Sequence, residues 1–129
     1  YYQVPRAELG LSVDASVLAD AVVTLEREGW PATFIMMYDE AWTLAAQVEA
    51  LVAATTGGCL NNLDMLAWKI DPNEGQAGFS PHRDRQPDDV GASFTADGSP
   101  KYATAWVALT DATPDNSCLY VIPRWSDPG

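Results

Sequence analysis

The pattern of apolar residues changes at about residue 61, and this change constrains the fold more than any other feature of the sequence. Before it, leucine and valine recur at the three- and four-residue spacing of amphipathic helices. After it, short runs rich in aromatic and β-branched residues alternate with segments rich in Pro, Gly, Asn and Asp. The first half is therefore predicted to be helical and the second half to form a sheet.

Two helices are predicted in the first half. The first has apolar residues at the i, i+4 and i+7 spacing from Leu18, follows a cap provided by Ser12 or Asp14, and ends at Gly29. The second is expected to be capped by Asp39 and to continue to the double glycine of TTGG. Between them, the run TFIMMY has the length of a buried strand, so one strand is expected there.

Three runs in the second half have the length and composition of β-strands: LDMLAWKI, YATAWVALT and CLYVI. The segment TPDNS between the last two is rich in residues that favour turns. Residues 102–110 and 118–122 are therefore predicted to pair as an antiparallel hairpin.

Composition excludes several classes of function. A chain of 129 residues with 47% hydrophobic residues suits one core. The net charge of −11 opposes binding to nucleic acid or an anionic membrane, so a small-molecule or protein partner is expected. The chain has no apolar run near the roughly 20 residues of a membrane span, and Cys59 and Cys118 fit reduced thiols better than a disulfide framework. A soluble, intracellular protein is predicted.

The single histidine, His82, lies two residues before Asp84 in the stretch GFSPHRDRQPDD. In an extended segment, residues two apart point to the same side, so an imidazole and a carboxylate can approach one point. Two histidines and one carboxylate form the facial triad of non-haem Fe(II) oxygenases, which leaves coordination positions open for reactants. By itself, the same spacing also fits an ordinary surface pair.

The residues around and after this motif favour a metal site over a surface pair. The stretch SPHRDRQPDD, followed by KYATAWVALTDATPDNSCLYVIPRWSDPG, resembles the phytanoyl-CoA dioxygenase family of iron- and 2-oxoglutarate-dependent oxygenases. The resemblance runs from about Leu63 to the end of the sequence. It implies a mainly β fold with N-terminal helices, namely a double-stranded β-helix, or cupin-like jelly roll. It also implies that His82 and Asp84 are the first two Fe(II) ligands.

The resemblance further implies how the sequence is organised. Residues 1–129 are expected to form a single partial oxygenase domain, with a helical part and one strand in 1–60 and the first jelly-roll strands in 61–129. The family's third ligand, a histidine, and the arginine that binds 2-oxoglutarate lie downstream of these strands. They are expected beyond Gly129, which makes the sequence a C-terminally truncated fragment that is inactive alone.

The implied activity is the hydroxylation of a small organic molecule or an acyl thioester, with O2 and 2-oxoglutarate as co-substrates and succinate as a product. Two alternatives stay open. One is a catalytically inactive relative that serves as a binding module, and the other is a cupin metal enzyme that does not use 2-oxoglutarate. A histidine and an arginine downstream would favour the oxygenase, whereas a histidine without the arginine would favour the other metal enzyme.

Further residues are candidates for the site. Lys69 and Thr104 are predicted to help bind 2-oxoglutarate, and Trp68, Arg85 and Trp106 to line the substrate pocket. The lysine also fits an edge strand, where it would discourage aggregation, and the tryptophans also fit a core.

A metal-binding imidazole needs a further hydrogen bond to hold its orientation. The polar residues around the motif are candidates for this role: Ser80, Arg83, Arg85 and Gln86.

Overall fold

The computed structural model of the protein describes residues 3–58, 60–83 and 93–126, and it confirms both predicted helices. Helix α1 spans Ala15–Arg27 and helix α2 spans Asp39–Thr56. Asp14 caps α1, since its carboxylate accepts hydrogen bonds from the Ser16 amide at 3.0 Å and the Ser16 hydroxyl at 2.8 Å. These bonds hold the pKa of the Asp14 carboxyl below its usual value. Gly57 ends α2 in the left-handed conformation, at φ 80°.

The connection between the two helices differs from the prediction. The first five residues of the run TFIMMY lie in a 3-10 helix over Ala32–Met37 instead of a strand, and Tyr38 follows this helix. With three residues per turn, Ala32 and Ile35 fall on the same side and are both buried. Asp39 is the first residue of α2 instead of its cap, and the capping position belongs to Tyr38.

The core of the described residues lies between these helical segments. Leu18 is at its centre, with 0% of its surface exposed. The other buried residues around it come from α1, the 3-10 helix and α2: Ala21, Val22, Ala32, Ile35, Ala41 and Leu44. Half-buried residues from the second half of the chain pack against this cluster: Met65, Ala67, Val107 and Leu109. The helices therefore provide the surface on which the rest of the chain is arranged.

The prediction of a mainly β jelly roll is wrong for the part of the chain that the structure describes. These residues form helices and short 3-10 turns and no β-sheet. One isolated antiparallel bridge joins Phe94 to Pro100. Strand propensity reports how well a side chain fits a pleated surface, whereas a sheet also needs a neighbouring strand to accept and donate its main-chain hydrogen bonds. The aromatic and β-branched runs indicated which side chains suit a pleated surface. They did not indicate whether a neighbouring strand is present to pair with them.

The alternation that suggested strands nevertheless has a structural counterpart. In the run LDMLAWKI, Met65 and Ala67 pack against the helical core, whereas Leu66 and Trp68 are exposed. The Thr33 hydroxyl also donates a 2.9 Å hydrogen bond to the carbonyl oxygen of Met65, which attaches this run to the helical part. In the middle of the run, residues 65 and 67 are therefore directed at the helices, whereas residues 66 and 68 face solvent.

The segment TPDNS forms the predicted turn without the predicted hairpin. Pro114–Asn116 is a 3-10 turn, and Ser117 follows it at φ 63°. The Asn116 side chain accepts a 2.7 Å hydrogen bond from the Thr113 amide and donates one of 2.6 Å to the Asp111 carbonyl. The turn is thus stabilised by its own side chains, and within the described residues 102–110 do not pair with 118–122.

Two further expectations from the sequence concern membrane-spanning helices and the cysteines. No helix within 3–58, 60–83 and 93–126 is long and apolar enough to span a bilayer. Cys118 is a half-buried free thiol, as predicted, and Cys59 lies outside the described residues.

The central position of Leu18 leads to a stability prediction. Replacing Leu18 with Ala should lower the free energy of unfolding by about 3 kcal/mol, because a buried leucine leaves a cavity that the surrounding residues fill only in part. Equilibrium unfolding in urea measures the change. Val17→Ala is the matched control, since Val17 is in the same helix and 43% exposed, and it should change stability by less than about 0.5 kcal/mol. Equal losses in both variants would contradict the assigned core.

Candidate functional site

A tight turn connects the run LDMLAWKI to the segment that carries the only histidine. Asp71 caps a short 3-10 helix over Pro72–Glu74, and Gly75 follows it in the left-handed conformation at φ 72°. The Gln76 amide donates a 3.2 Å hydrogen bond to the Asp71 carbonyl, and the Gln76 side-chain oxygen accepts one of 2.8 Å from the Asp71 amide. The turn therefore reverses the chain and places the segments before and after it beside each other.

Side-chain contacts show how these two segments are aligned. The rings of Trp68 and Phe79 meet edge to face, with centroids 5.2 Å apart and an interplanar angle of 83°. A Cβ atom at Gly78 would lie 3.0 Å from the Cδ1 atom of Ile70, so the glycine permits the close approach of the segments at this point. Residue 68 therefore lies beside residue 79, and residue 70 beside residue 78.

The contacts of the His82 imidazole include two with residues of its own segment. Its ring centroid lies 6.0 Å from that of Phe79, at an interplanar angle of 72°. Its Nδ1 atom lies 2.7 Å from the carbonyl oxygen of Ser80. Because a carbonyl oxygen only accepts, Nδ1 carries the proton, and the neutral ring has its lone pair on Nε2. A hydrogen bond from one ring nitrogen to a main-chain carbonyl is a common way of orienting a metal-binding histidine.

The second predicted ligand, Asp84, and the predicted substrate residue Arg85 lie outside the described residues. Among the residues that are described, no cluster of three His, Cys, Asp or Glu side chains could hold a metal ion. Of the two predicted ligands, His82 is therefore the one whose geometry can be compared with that of a metal-binding residue. Its exposed position and its Nδ1–H tautomer fit a ligand that binds metal through Nε2.

The remaining predicted site residues fall into two groups. Trp68 reaches the histidine through the intervening phenylalanine ring, and Lys69 is exposed at the next position along the chain. Thr104 and Trp106 belong to a separate segment, where both are exposed. Their assigned roles in binding co-substrate and substrate remain predictions.

Sequence reasoning missed Phe79 as part of the site, and it considered only the side chain of Ser80, although the structure shows its main-chain carbonyl in contact with His82. The signal for Phe79 was present in the sequence. The letters DPNEG contain an Asp-Pro pair and a Gly three residues later, which are typical of a tight turn. A turn at this point would bring Trp68 and Phe79 opposite each other.

The model of the phytanoyl-CoA dioxygenase (PhyH) family matches residues 19–124. The chain belongs to the phytanoyl-CoA dioxygenase family. This confirms the resemblance seen from residue 63 onward and extends it into α1. Members of the phytanoyl-CoA dioxygenase family are generally dioxygenases that typically depend on Fe(II) and 2-oxoglutarate. Neither the curated proteins nor the solved structures contain a match to this chain.

Proposed function

We propose that the protein is an Fe(II)- and 2-oxoglutarate-dependent dioxygenase that hydroxylates a small organic molecule or an acyl thioester. The observation that carries the proposal is the state of His82. It is the only histidine of the chain, it lies within the family match, and its Nδ1 lies against the Ser80 carbonyl, so that in the neutral form of the ring the lone pair is on Nε2.

The proposed iron ligands are Nε2 of His82 and the carboxylate of Asp84. A facial triad needs a second histidine, and the 129 residues contain one histidine, so the third ligand of such a site would come from outside them. When bound, Fe(II) supplies the activation of O2 for hydroxylation. The protein itself presents its imidazole in one tautomer and supplies the carboxylate two residues later.

Because the chain is acidic, binding of 2-oxoglutarate requires positively charged groups close to the site. With a net charge of −11, the protein repels the 2-oxoglutarate dianion at long range, and salt screens this repulsion beyond about 10 Å. Cations close to the site then decide the affinity. Lys69 follows Trp68 and is exposed, and Arg83 and Arg85 flank Asp84 in the sequence. We assign Lys69 to a carboxylate of 2-oxoglutarate, with Thr104, whose hydroxyl donates a 2.9 Å hydrogen bond to the Tyr102 hydroxyl, as a further polar contact.

The proposed substrate is a small molecule. The few basic residues and the negative net charge oppose a polyanionic partner such as nucleic acid. The exposed indole of Trp106 offers an apolar surface that suits an organic substrate, and Trp68 and Arg85 are the other proposed substrate contacts.

The first functional prediction concerns the two proposed ligands. His82→Ala and Asp84→Ala should each reduce 2-oxoglutarate-dependent O2 uptake and succinate release by at least about 100-fold, the upper end of the loss seen when residues outside the coordination sphere are changed. His82→Ala should alter the free energy of unfolding by less than about 1 kcal/mol, because the ring is exposed. Oxygen-electrode and succinate assays on the full-length protein measure O2 consumption and succinate formation.

Asp115→Ala is the matched control for these variants, since it removes an exposed carboxylate from the TPDNS turn. It should retain the activity of the unmodified protein. Succinate release that survives His82→Ala would refute the ligand assignment. Release that is absent from the unmodified full-length protein, under conditions where it binds Fe(II), would favour the inactive binding module.

A second prediction tests the co-substrate contact. The chain has two lysines, Lys69 and Lys101, which provide a matched pair. Lys69→Gln should raise the KM for 2-oxoglutarate by about 10-fold and leave kcat largely unchanged, because a charge-assisted hydrogen bond is lost from binding alone. Lys101→Gln should leave the KM unchanged. Steady-state kinetics with varied 2-oxoglutarate measure both constants, and equal KM values for the two variants would show that Lys69 has no such role.

A further inference from the structure

We propose that Phe79 is a positioning residue for His82, and that Trp68 acts on the histidine through Phe79. The proposal rests on the proposed function, because it assigns these two aromatic residues to the orientation of an iron-binding imidazole. It gives Trp68 a structural task within the site in addition to its proposed contact with substrate.

The first support is that two contacts of His82 restrain its ring in different directions. The hydrogen bond from Nδ1 to the Ser80 carbonyl, at 2.7 Å, fixes the direction of one ring nitrogen. It still permits the ring plane to turn about that bond. The edge-to-face contact with Phe79, with centroids 6.0 Å apart and planes at 72°, opposes this rotation. Together the two contacts restrict the direction in which Nε2 points.

The second support is the exposure of Phe79. The side chain is 69% exposed, so burial contributes little to keeping a phenylalanine at this position. Its ring contacts two aromatic side chains, Trp68 on one side and His82 on another. An exposed ring placed between a tryptophan and a proposed metal ligand is explained by orientation of the ligand better than by stability of the core.

The third support is the turn that sets the alignment. The hydrogen bonds between Asp71 and Gln76, and the close approach of Ile70 to Gly78, hold the two segments in the register that places Trp68 beside Phe79. The position of the Phe79 ring is therefore fixed from the preceding segment, which itself packs on the helical core through Met65.

The test is nuclear magnetic resonance of the metal-free protein labelled with 15N at histidine. Because His82 is the only histidine, its ring nitrogens give one unambiguous set of signals. The 15N shifts report the ratio of the Nδ1–H form to the Nε2–H form of the neutral ring. A neutral imidazole in water prefers the Nε2–H form, so an excess of Nδ1–H in this protein is the expected result.

Phe79→Leu should lower the ratio of Nδ1–H to Nε2–H by about 3-fold, the effect expected from the loss of one edge-to-face pair. Phe79→Tyr keeps the ring, with its hydroxyl able to reach solvent, and should retain the ratio. Trp30→Leu removes a tryptophan from a separate aromatic pair with Phe34 and should not change it. A role that is only structural would lower stability without moving the tautomer ratio.

A double-mutant cycle tests the part assigned to Trp68. Trp68→Leu alone should lower the ratio by less than Phe79→Leu does, and it should have no further effect when Phe79 is already leucine. An equal effect of Trp68→Leu in both backgrounds would overturn the action through Phe79.

The tautomer ratio that tests the role of Phe79 is measured without iron, so it does not depend on whether the protein is an oxygenase. An unchanged ratio in Phe79→Leu, or a predominance of Nε2–H in the unmodified protein, would overturn the positioning role even if His82→Ala abolishes turnover. Conversely, if His82→Ala retains turnover, the proposed function fails whatever the tautomer ratio shows. The two failures are therefore distinguishable.

Discussion

The packing of α1 against the 3-10 helix and α2 is the interaction on which the rest of the described structure depends. Leu18 is completely buried among small and branched apolar residues from all three segments. Small residues such as Ala21, Ala32 and Ala41 let the helical segments approach closely around it. The resulting apolar surface then receives alternate residues from the second half of the chain.

This arrangement explains how the segment that carries His82 is connected to the helical core. Met65 and Ala67 hold one segment against the helices, and the turn at 71–76 brings the following segment back beside it. Phe79 then contacts both Trp68 and His82. The histidine is exposed, and a short chain of side-chain contacts links it to a run that is anchored on the helical core.

The helices could be predicted from the sequence because their signals are local. The spacing of apolar residues from Leu18, the cap at Asp14 and the glycine at 57 each act within a few residues. The sheet could not be predicted in the same way, because a ladder depends on partners that are distant in sequence. The run TFIMMY shows a related limit, since a short apolar run fits a strand or a 3-10 helix equally well until its packing is known.

For the candidate site, the sequence supplied the residue types and the family, and the structure supplied the orientation of one of them. His82 and Asp84 were predicted from their spacing and context, and the match to the phytanoyl-CoA dioxygenase family covers both positions. The tautomer of His82 could not be predicted, because it depends on which acceptor lies beside Nδ1, and that acceptor is the main chain of Ser80. Residues near the motif in sequence were correctly considered, but a side chain was expected where a carbonyl oxygen acts.

The most direct test of the central claim, that His82 and Asp84 hold a divalent metal, is the broadening of the His82 ring-proton resonances by Mn(II), a paramagnetic substitute for Fe(II). The single histidine makes these resonances unambiguous. We predict that substoichiometric Mn(II) broadens them selectively, and that Asp84→Ala greatly weakens the effect because the carboxylate ligand is lost. Ring resonances that stay sharp, or equal broadening in Asp84→Ala, would contradict the account.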